Sequence, residues 1–257
     1  MIQQFKQKQN NILPTVPCSH SGLLPHLPPP PSGKTGWPTL PTSFRDRYRC
    51  QWRKFEIEAK IACGKIQRQF MRPPFPKLAN EEINLHLGCG SVNHPKFINI
   101  DGLPAPHIHY IRPIDNLAPF KDNSVNLVYA CHCLEHFSHL KVSEVLAEWL
   151  RVLKKDGILR LSVPDFDLLL DIYKENGNDI NTILLPLMGG QNYKFNFNMI
   201  LFNFSSLESL LKKTGFRQVE KWQPGACELT TLDDWSNRKI LINGKYYPVS
   251  LNIQAIK

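Results

Sequence analysis

The stretch Ile83–Ser91 reads INLHLGCGS, an apolar run that ends in two glycines separated by one residue. Glycines directly after a strand permit a tight turn and let a ligand approach the backbone closely. The next apolar run, Phe97–Ile100, leads into Asp101, and only 12 residues separate Gly88 from this acid. A carboxylate at a strand tip can accept hydrogen bonds from both hydroxyls of a ribose, because it has two acceptor oxygens. The two runs therefore predict a ribose-binding turn at the start of an α/β sheet.

From this stretch onward, short apolar runs alternate with amphipathic segments. The predicted strands are Ile83–Leu87, Phe97–Ile100, Ile108–Ile111, Val125–Ala130, Gly157–Val163, Phe216–Trp222 and Val249–Ala255. The clearest helix spans Val142–Leu153, where apolar residues recur at helical spacing, and we place its end at Lys154–Gly157. A second helix is predicted over Ser205–Thr214, with a Ser cap and a stop at Gly215. Such alternation predicts a parallel sheet with ligands at the carboxyl ends of its strands.

Charge and proline content divide the chain into two parts. Residues 1–80 contain 13 Lys and Arg against 3 Asp and Glu, a net charge of +10, and they hold 12 of the 21 prolines. Residues 81–257 contain 18 basic against 19 acidic residues, a net charge of −1. Any anionic partner that the overall charge of +9 suggests therefore belongs to the N-terminal part.

The N-terminal part itself has two segments. Residues 1–43 are of low complexity, with LPPPPSG at Leu27–Gly33, and we predict a disordered or polyproline-type segment. Residues 44–80 are predicted to form a basic helix, up to residue 71, and then a Pro-rich linker. Its cations leave three interpretations open: a helix that leans on the main domain with a solvated face, or a contact of residues 44–72 with nucleic acid or with an anionic membrane. The main domain is predicted over residues 81–257.

Composition disfavours several classes of protein. No apolar run approaches the roughly 20 residues that span a bilayer, and Met1–Asn10 lacks the apolar stretch of a secretion signal. Residues 1–45 contain no acid, as in organellar transit peptides, but their many prolines and few arginines argue against one. Seven cysteines are scattered without the pattern of a small disulfide-bonded domain, which favours free thiols in a reducing compartment. We therefore expect a cytoplasmic protein.

Six motifs in one order give the chain a family resemblance. They are LHLGCG at Leu85–Gly90, NID at Asn99–Asp101, DNLAPFKDNS at Asp115–Ser124, LEH at Leu134–His136, RVLKKDG at Arg151–Gly157 and VPD at Val163–Asp165. With these motifs the sequence resembles the class I S-adenosylmethionine-dependent methyltransferases, in particular the small "methyltransferase type 11" branch. The resemblance covers about residues 83–257. It implies a Rossmann-like fold, with a mostly parallel seven-stranded sheet and helices on both faces, and S-adenosylmethionine as cofactor.

The resemblance also implies roles for individual residues. Gly88 and Gly90 would let the backbone approach the methionine part of the cofactor, Asp101 would hold the ribose, and Asp115 would bind the adenine amine. Simple turns are the alternatives for Asp101 and Asp115. The other positions that we assign to cofactor binding adjoin these motifs: His86, Cys89, Gly102, Asn116 and Cys131.

The sequence departs from the family pattern at several positions. His86 stands where many members have an acid that grips the methionine amino group, and Val92 replaces the third glycine. The 12-residue spacing leaves room for about one helical turn between the first two strands, and Asn126 replaces an acid. A dinucleotide fingerprint fits worse, because it would need Gly at Asn93 and an acid roughly 20 residues on.

The segment Cys131–His136, which reads CHCLEH, has two possible uses. A zinc site is disfavoured because Cys131 and Cys133 have the wrong spacing and no second pair of ligands follows. We instead expect His136 and His132, just past the fourth strand, to meet the methyl acceptor. A base helps when the acceptor is a hydroxyl, and His titrates near neutral pH. Asp165 is the third catalytic candidate, and structural roles stay open for all three.

These inferences predict methyl transfer to a small-molecule or glycan-like acceptor, with oxygen slightly favoured as the acceptor atom. Two alternatives remain: a non-catalytic nucleotide-binding or scaffold protein that keeps the fold, and a nucleic-acid methyltransferase that uses the basic helix. We expect the acceptor pocket to be built from residues 166–204 and 224–248, with Gln191, Asn198, Asp234 and Ser236 as candidate lining residues. Neither segment has a substrate signature, and the sequence predicts no metal and no oligomeric state.

Overall fold

A computed structural model describes residues 42–78, 81–191 and 193–257 of the chain. The Pro-rich segment predicted for residues 1–43 lies almost wholly outside these ranges, so it stays a prediction. The chain divides after Arg45, and every contact described below lies within Asp46–Lys257. The domain boundary predicted at residue 81 also stays a prediction.

The predicted strands form with small shifts at their ends. The described residues contain the strands β1 Asn84–Leu87, β2 Ile98–Asp101, β3 Tyr110–Ile111, β4 Val125–Cys131, β5 Leu153–Pro164, β6 Val219–Lys221, β7 Lys239–Ile242, β8 Lys245–Pro248 and β9 Ser250–Ile256. Seven of them make one sheet in the order β3-β2-β1-β4-β5-β9-β6. The pairs from β3 to β5 are parallel, while β9 runs antiparallel to both β5 and β6. The predicted mostly parallel, Rossmann-like sheet is confirmed, and the carboxyl ends of β1, β2, β4 and β5 share one edge.

The helices of the described residues are α1 Thr42–Phe70, α2 Val142–Val152, α3 Phe166–Glu175, α4 Leu184–Met188 and α5 Phe204–Thr214. Two of the helices, α2 and α5, bury apolar residues in the main core of this sheet. Helix α2 buries the predicted stripe, and its Trp149 is wholly inaccessible to solvent, with Nε1 donating to the carbonyl of Ile114 at 2.8 Å. No helix in the described ranges is long and apolar enough to cross a membrane.

Two predicted helix ends are wrong. Helix α2 ends at Val152, because Leu153 already pairs with Val125 as the first residue of β5. The residue with a left-handed backbone is Asp156, with φ 62°, so Gly157 does not terminate the helix. Helix α5 is capped by Asn203 instead of a serine: its side chain accepts from Ser206 N, and the Ser206 hydroxyl bonds back to Asn203 N.

The connections from β1 to β3 contain no helix. Side-chain hydrogen bonds to the backbone hold them instead: Asn99 N donates to His109 Nδ1 at 2.9 Å, and Asn99 Nδ2 bonds to the carbonyl of His107 at 3.2 Å. The predicted shortening between the first two strands is therefore present. It leaves this side of the sheet without the crossover helix that normally covers a parallel pair.

Helix α1 covers part of that uncovered side. Ile61 packs against the buried side chains of Cys89, Ile108 and Ile111. Gly64 lies so close to the loop after β2 that a Cβ there would come within 2.6 Å of Pro104. The structure thus supports the interpretation in which the basic helix leans on the main domain.

The segments expected to form the acceptor pocket are largely structured. Residues 166–204 contain α3 and α4, and residues 224–248 contain the β7–β8 hairpin. The hairpin turns at Asn243 and Gly244, both with positive φ.

Candidate active site

The first turn after β1 is open toward the carboxyl edge of the sheet. Gly88 and Gly90 both have left-handed backbones, with φ 61° and 54°. A Cβ at Gly88 would lie 2.3 Å from Cys133 Sγ, whereas a Cβ at Gly90 would point into free space. The side chain of Cys89 is buried beside Ile108, so only its backbone is left to contact a ligand. The exposed backbone of this turn therefore suits a ligand that has to approach the main chain closely.

Asp101 lies at the tip of β2 and reaches across to this turn. Its Oδ2 accepts from Gly90 N at 2.9 Å, and its Oδ1 accepts from Leu103 N at 2.8 Å. Burial raises the pKa of the carboxyl above its usual value, and these backbone hydrogen bonds oppose the shift. A carboxylate has about four lone-pair positions. Both oxygens therefore keep acceptor capacity for the hydroxyls of a ribose.

His86 lies one residue before the end of β1 and is almost wholly buried. Its ring packs against Phe97 and Tyr129, with centroids 5.7 and 5.1 Å away. Burial lowers its pKa to about 4, so the imidazole is neutral near pH 7. Its Nδ1 is buried and has no hydrogen-bond partner within the described residues. An unpartnered acceptor of this kind fits a donor such as an ammonium group.

Asp115, predicted to bind adenine, and its neighbour Asn116 are already engaged by protein groups. Asp115 forms an ion pair with Lys141. Asn116 Oδ1 accepts from the Arg112 guanidinium at 2.6 Å and from Ala118 N at 3.1 Å, as in an Asx turn. In the structure both side chains therefore make contacts that stabilise the loop after β3.

A segment that the sequence analysis assigned to the acceptor pocket covers the predicted ribose side. We call Tyr193–Met199 the covering segment. The ring of Phe195 lies over Gly102, 2.9 Å from the place that a Cβ there would take. Burial, followed by the charge of Asp101, raises the pKa of Tyr193 to about 12. The only signal in the sequence was the pair of aromatic residues beside a GGQ segment.

The tip of β4 brings His132 into a buried polar cluster. Its backbone is left-handed, with φ 51°. Its Nε2 lies 2.8 Å from Ser250 Oγ, and its Nδ1 lies 3.3 Å from a carboxylate oxygen of Glu135. The Ser250 hydroxyl donates to the carbonyl of Trp235, so His132 Nε2 is the donor to Ser250. Both ring nitrogens of His132 are thus engaged.

Glu135 was missed as a site residue, because the LEH motif was interpreted for its histidine alone. Glu135 is 1% exposed, and its Oε2 has no hydrogen-bond partner in the described parts of the chain. The sequence signal for Glu135 was its position three residues after His132, at the end of β4.

His136 follows in the same 3₁₀ turn, Leu134–His136, and is half-buried. Its Nδ1 lies 3.1 Å from the carbonyl oxygen of Phe197. A carbonyl can only accept, so Nδ1 carries the proton and Nε2 of the neutral ring has a free lone pair. Nε2 makes no hydrogen bond to the described residues. This arrangement suits a general base.

Asp165, the third catalytic candidate, has a structural task. It is the N-cap of α3, and its Oδ1 accepts from Asp167 N at 3.1 Å. Burial raises the pKa of its carboxyl.

The predicted acceptor-side residues divide into two groups. Asp234 and Ser236 are buried, and Asp234 accepts from the Tyr129 hydroxyl and from the Ser236 hydroxyl, each at 2.6 Å. Asn198 donates to the carbonyl of Pro186 at 2.9 Å, and Gln191 has a left-handed backbone with φ 51°. These contacts fix the loops around the site.

The thiols near the site are buried and held in the protonated form. Burial raises the pKa of Cys131 and of Cys133 well above the usual value. The Cys133 thiol donates to the carbonyl of Cys131 at 3.1 Å. Across the described ranges, no three His, Cys, Asp or Glu side chains are grouped as metal ligands would be.

A family model with the description "Methyltransferase domain" matches residues 104–161 of the chain. This segment runs from the loop after β2 into β5 and includes three of the six motifs. Within this segment the chain is similar to a methyltransferase domain, as the motifs predicted. The match bears out the predicted methyltransferase class, and S-adenosylmethionine is the cofactor that goes with that class. The residues of the β1 turn and Asp101 fit that cofactor, since they offer open backbone, free carboxylate lone pairs and the unpartnered Nδ1 of His86.

Solved structures of methyltransferases resemble this domain at low identity. A Thermotoga maritima S-adenosylmethionine-dependent methyltransferase, described as a possible histamine N-methyltransferase, is 15% identical with a TM-score of 0.44, over 84% of this chain and 97% of that one. The Burkholderia thailandensis 1,6-didemethyltoxoflavin-N1-methyltransferase is 15% identical with a TM-score of 0.43, over 84% and 86%. A putative Haloferax volcanii methyltransferase, solved in complex with the activator Trm112, is 12% identical with a TM-score of 0.42, over 82% and 96%. A comparison with curated protein sequences gives no match.

Proposed function

We propose that this methyltransferase methylates a hydroxyl group of a small-molecule or glycan-like acceptor, with His136 as the general base. The observation that carries the proposal is the fixed tautomer of His136, whose Nδ1–H is held by the carbonyl of Phe197 at 3.1 Å. A hydroxyl needs to lose a proton as its oxygen attacks a methyl group, whereas a neutral amine can attack first. A base with a free Nε2 therefore favours oxygen as the acceptor atom.

The cofactor, when bound, supplies an activated methyl group on a sulfonium. The chain positions it: Gly88 and Gly90 offer backbone, Asp101 accepts from the ribose hydroxyls and neutral His86 accepts from the methionine ammonium. Asp115, Asn116, Gly102 and Cys131 border this region, with Asp115 available for adenine only if it exchanges its contact with Lys141.

The residues around His136 hold its ring in position and shield it from water. His132, joined to Glu135 and Ser250, fixes the turn that carries His136. The covering segment supplies the carbonyl of Phe197, and Met199 N donates to the carbonyl of Glu135 at 2.8 Å. Positioning and exclusion of water are what a displacement at a methyl group mainly requires. A cytoplasmic location stays the expectation that the unpaired thiols suggest.

The test starts with calorimetry of the full chain with S-adenosylmethionine. Absence of saturable binding would overturn both the cofactor assignment and the proposal. Labelled cofactor is then screened against pools of sugars, phenols and RNA. Transfer to a sugar or phenol hydroxyl supports the proposal, and transfer only to RNA or to nitrogen overturns it.

The role of His136 is tested with His136→Gln on the acceptor found. We expect kcat to fall about 10²- to 10³-fold at neutral pH, with unchanged cofactor affinity. His139→Gln is the matched control, since His139 is exposed three residues further on. Equal rates for the two variants would remove the base from the mechanism.

A further inference from the structure

A concave pocket lies where α1 meets the end of β3. It has a volume of about 160 Å³, and its lining includes Lys65, Arg68, Arg72, Tyr110 and Arg112. Four of these are cations, and the pocket has no acidic lining residue. None of the four forms an ion pair with any part of the chain that the structure describes. Since protein surfaces normally intersperse both signs of charge, four unpaired cations around one cavity need an explanation.

Neutral partners hold two of these guanidinium groups in place. Arg68 donates through Nε to the carbonyl of Ile108 at 2.7 Å and through a terminal nitrogen to that of Ala105 at 2.6 Å. Arg72 lies over the ring of Tyr110, 4.7 Å from its centroid. Burial and the charge of Arg72 both lower the pKa of Arg68. The two cations thus face each other across the pocket with no negative charge between them.

Arg112 adds an unsatisfied donor. Its Nε is buried without a hydrogen-bond partner among the described residues, while a terminal nitrogen donates to Asn116 at 2.6 Å. Glu148 is the nearby acid, but its carboxylate already accepts from Arg151 at 2.7 Å and from Leu117 N at 2.6 Å. A buried donor left unpaired is destabilising, so an acceptor that reached it would be stabilised there.

We propose that this pocket binds the phosphate group of a small anionic ligand. Guanidinium groups match the geometry of phosphate oxygens, and an adjacent lysine adds a point charge. The pocket is separate from the base, since three strand spacings, on the order of 14 Å, lie between β3 and β4. The proposal therefore does not depend on the identity of the methyl acceptor.

The geometry of α1 argues against a lipid headgroup as the source of the phosphate. The large apolar side chains that α1 exposes are Phe55, Ile66 and Phe70, with 55, 59 and 82% of their surface accessible. At about 100° per residue, Lys65 lies about 80 to 140° around the helix from these side chains, and Arg72 follows the end of the helix at Phe70. A flat membrane would therefore contact the apolar stripe or the pocket, but not both. A nucleic-acid strand would need a groove several nucleotides long, which a cavity of this size does not provide.

The test is calorimetry of the full chain with inorganic phosphate and with pyrophosphate, at constant ionic strength. We expect saturable binding that falls about tenfold or more in the double variant Lys65→Ala/Arg72→Ala. Both residues are exposed, and neither donates a hydrogen bond to the described chain, so the fold should persist; an unchanged thermal unfolding midpoint checks this. The matched control is Lys60→Ala, which removes a charge from the same helix outside the pocket and should change the affinity less than about twofold.

Three results would overturn the proposal. One is the absence of saturable binding of either anion. The second is an equal loss of affinity in Lys60→Ala, which would mean that only the overall charge of α1 matters. The third is that a short RNA or phosphatidylserine vesicles bind with the same dependence on Lys65 and Arg72 while pyrophosphate does not, since the partner would then be a macromolecule or a membrane.

Discussion

The two halves of the sheet are covered in different ways. Helices α2 and α5 cover strands β4, β5, β9 and β6. In the chain, α2 lies between β4 and β5 and α5 between β5 and β6, and each buries an apolar stripe. Strands β1, β2 and β3 are joined by turns without helices, and α1, from the basic N-terminal part, packs beside them. Leu85, Leu87 and Ile100 of β1 and β2 belong to the same buried core as α2, so the difference lies in the connections: helices in the first half, and turns held by hydrogen bonds between side chains and backbone in the second. The residues that fit the cofactor lie in this second half.

The largest expected effect compares one helix from each half. Trp149→Ala in α2 removes a fully buried ring and its hydrogen bond, and we expect a loss of about 4 kcal/mol in the free energy of unfolding. Ile61→Ala in α1 removes a half-buried side chain and should cost about 1 kcal/mol. Urea unfolding followed by circular dichroism measures both values. If the two losses were equal, the distinction between the halves would fail.

The second prediction concerns acid stability in the half without crossover helices. The pKa of His86 is about 4 in the folded state against 6.5 unfolded, so the folded state binds the proton less well. Its stabilising effect is complete above pH 6.5 and is lost as the pH falls toward 4, by about 3 kcal/mol in total. His86→Leu should flatten this part of the stability curve. The difference between the parent and the variant isolates His86 from the acids, and an unchanged slope would contradict the assignment.

The third prediction tests the cofactor contact at the tip of β2. Asp101→Asn keeps the size of the side chain but replaces one acceptor oxygen with a donor. We expect affinity for S-adenosylmethionine to fall about 10- to 100-fold, the effect of one hydrogen bond to a charged group. Asp171→Asn, on the exposed side of α3, is the control. Calorimetry that gave the same affinity for both variants would remove Asp101 from the ribose site.

The smallest expected effect concerns how closely α1 packs against the loop after β2. Gly64→Ala gains up to about 1 kcal/mol of helix propensity, but its Cβ would lie 2.6 Å from Pro104 and 2.9 Å from Ile111. Because overpacking costs about 1–3 kcal/mol, we expect a net loss of about 1 kcal/mol. Cys63→Ala, exposed on the same helix, should be near neutral. A stabilised Gly64→Ala variant would show that α1 is not seated against the loop after β2.

The sequence predicted what depends on periodicity and missed what depends on local hydrogen bonds. The stripe of α2 was predictable because burial repeats every 3.6 residues. Its end was not, since Leu153 joins β5 through a pairing with Val125 that lies far away in sequence. The β7–β8 hairpin was predictable from Asn243-Gly244, a strong turn signal that was passed over.

At the site, the sequence indicated which residues would lie there better than it indicated what each of them does. Asp165 was a candidate for the catalytic base, but a carboxylate directly before a helix also caps it, and its contact with Asp167 shows that it does so here. The histidines after β4 were identified from their place at a strand end. Their different tasks follow from partners in distant segments, Ser250 for His132 and Phe197 for His136, which no local pattern contains.

The covering segment contacts both the predicted ribose side and the proposed base, His136. Phe195 lies on Gly102, the residue after Asp101, and the carbonyl of Phe197, two residues on, accepts from His136 Nδ1. Under the proposed function, a cofactor that displaces Phe195 would also shift the carbonyl that sets the tautomer of His136. We therefore expect binding in a compulsory order, with the cofactor first and the acceptor second. In steady-state kinetics the product S-adenosylhomocysteine should then compete with the cofactor but not with the acceptor.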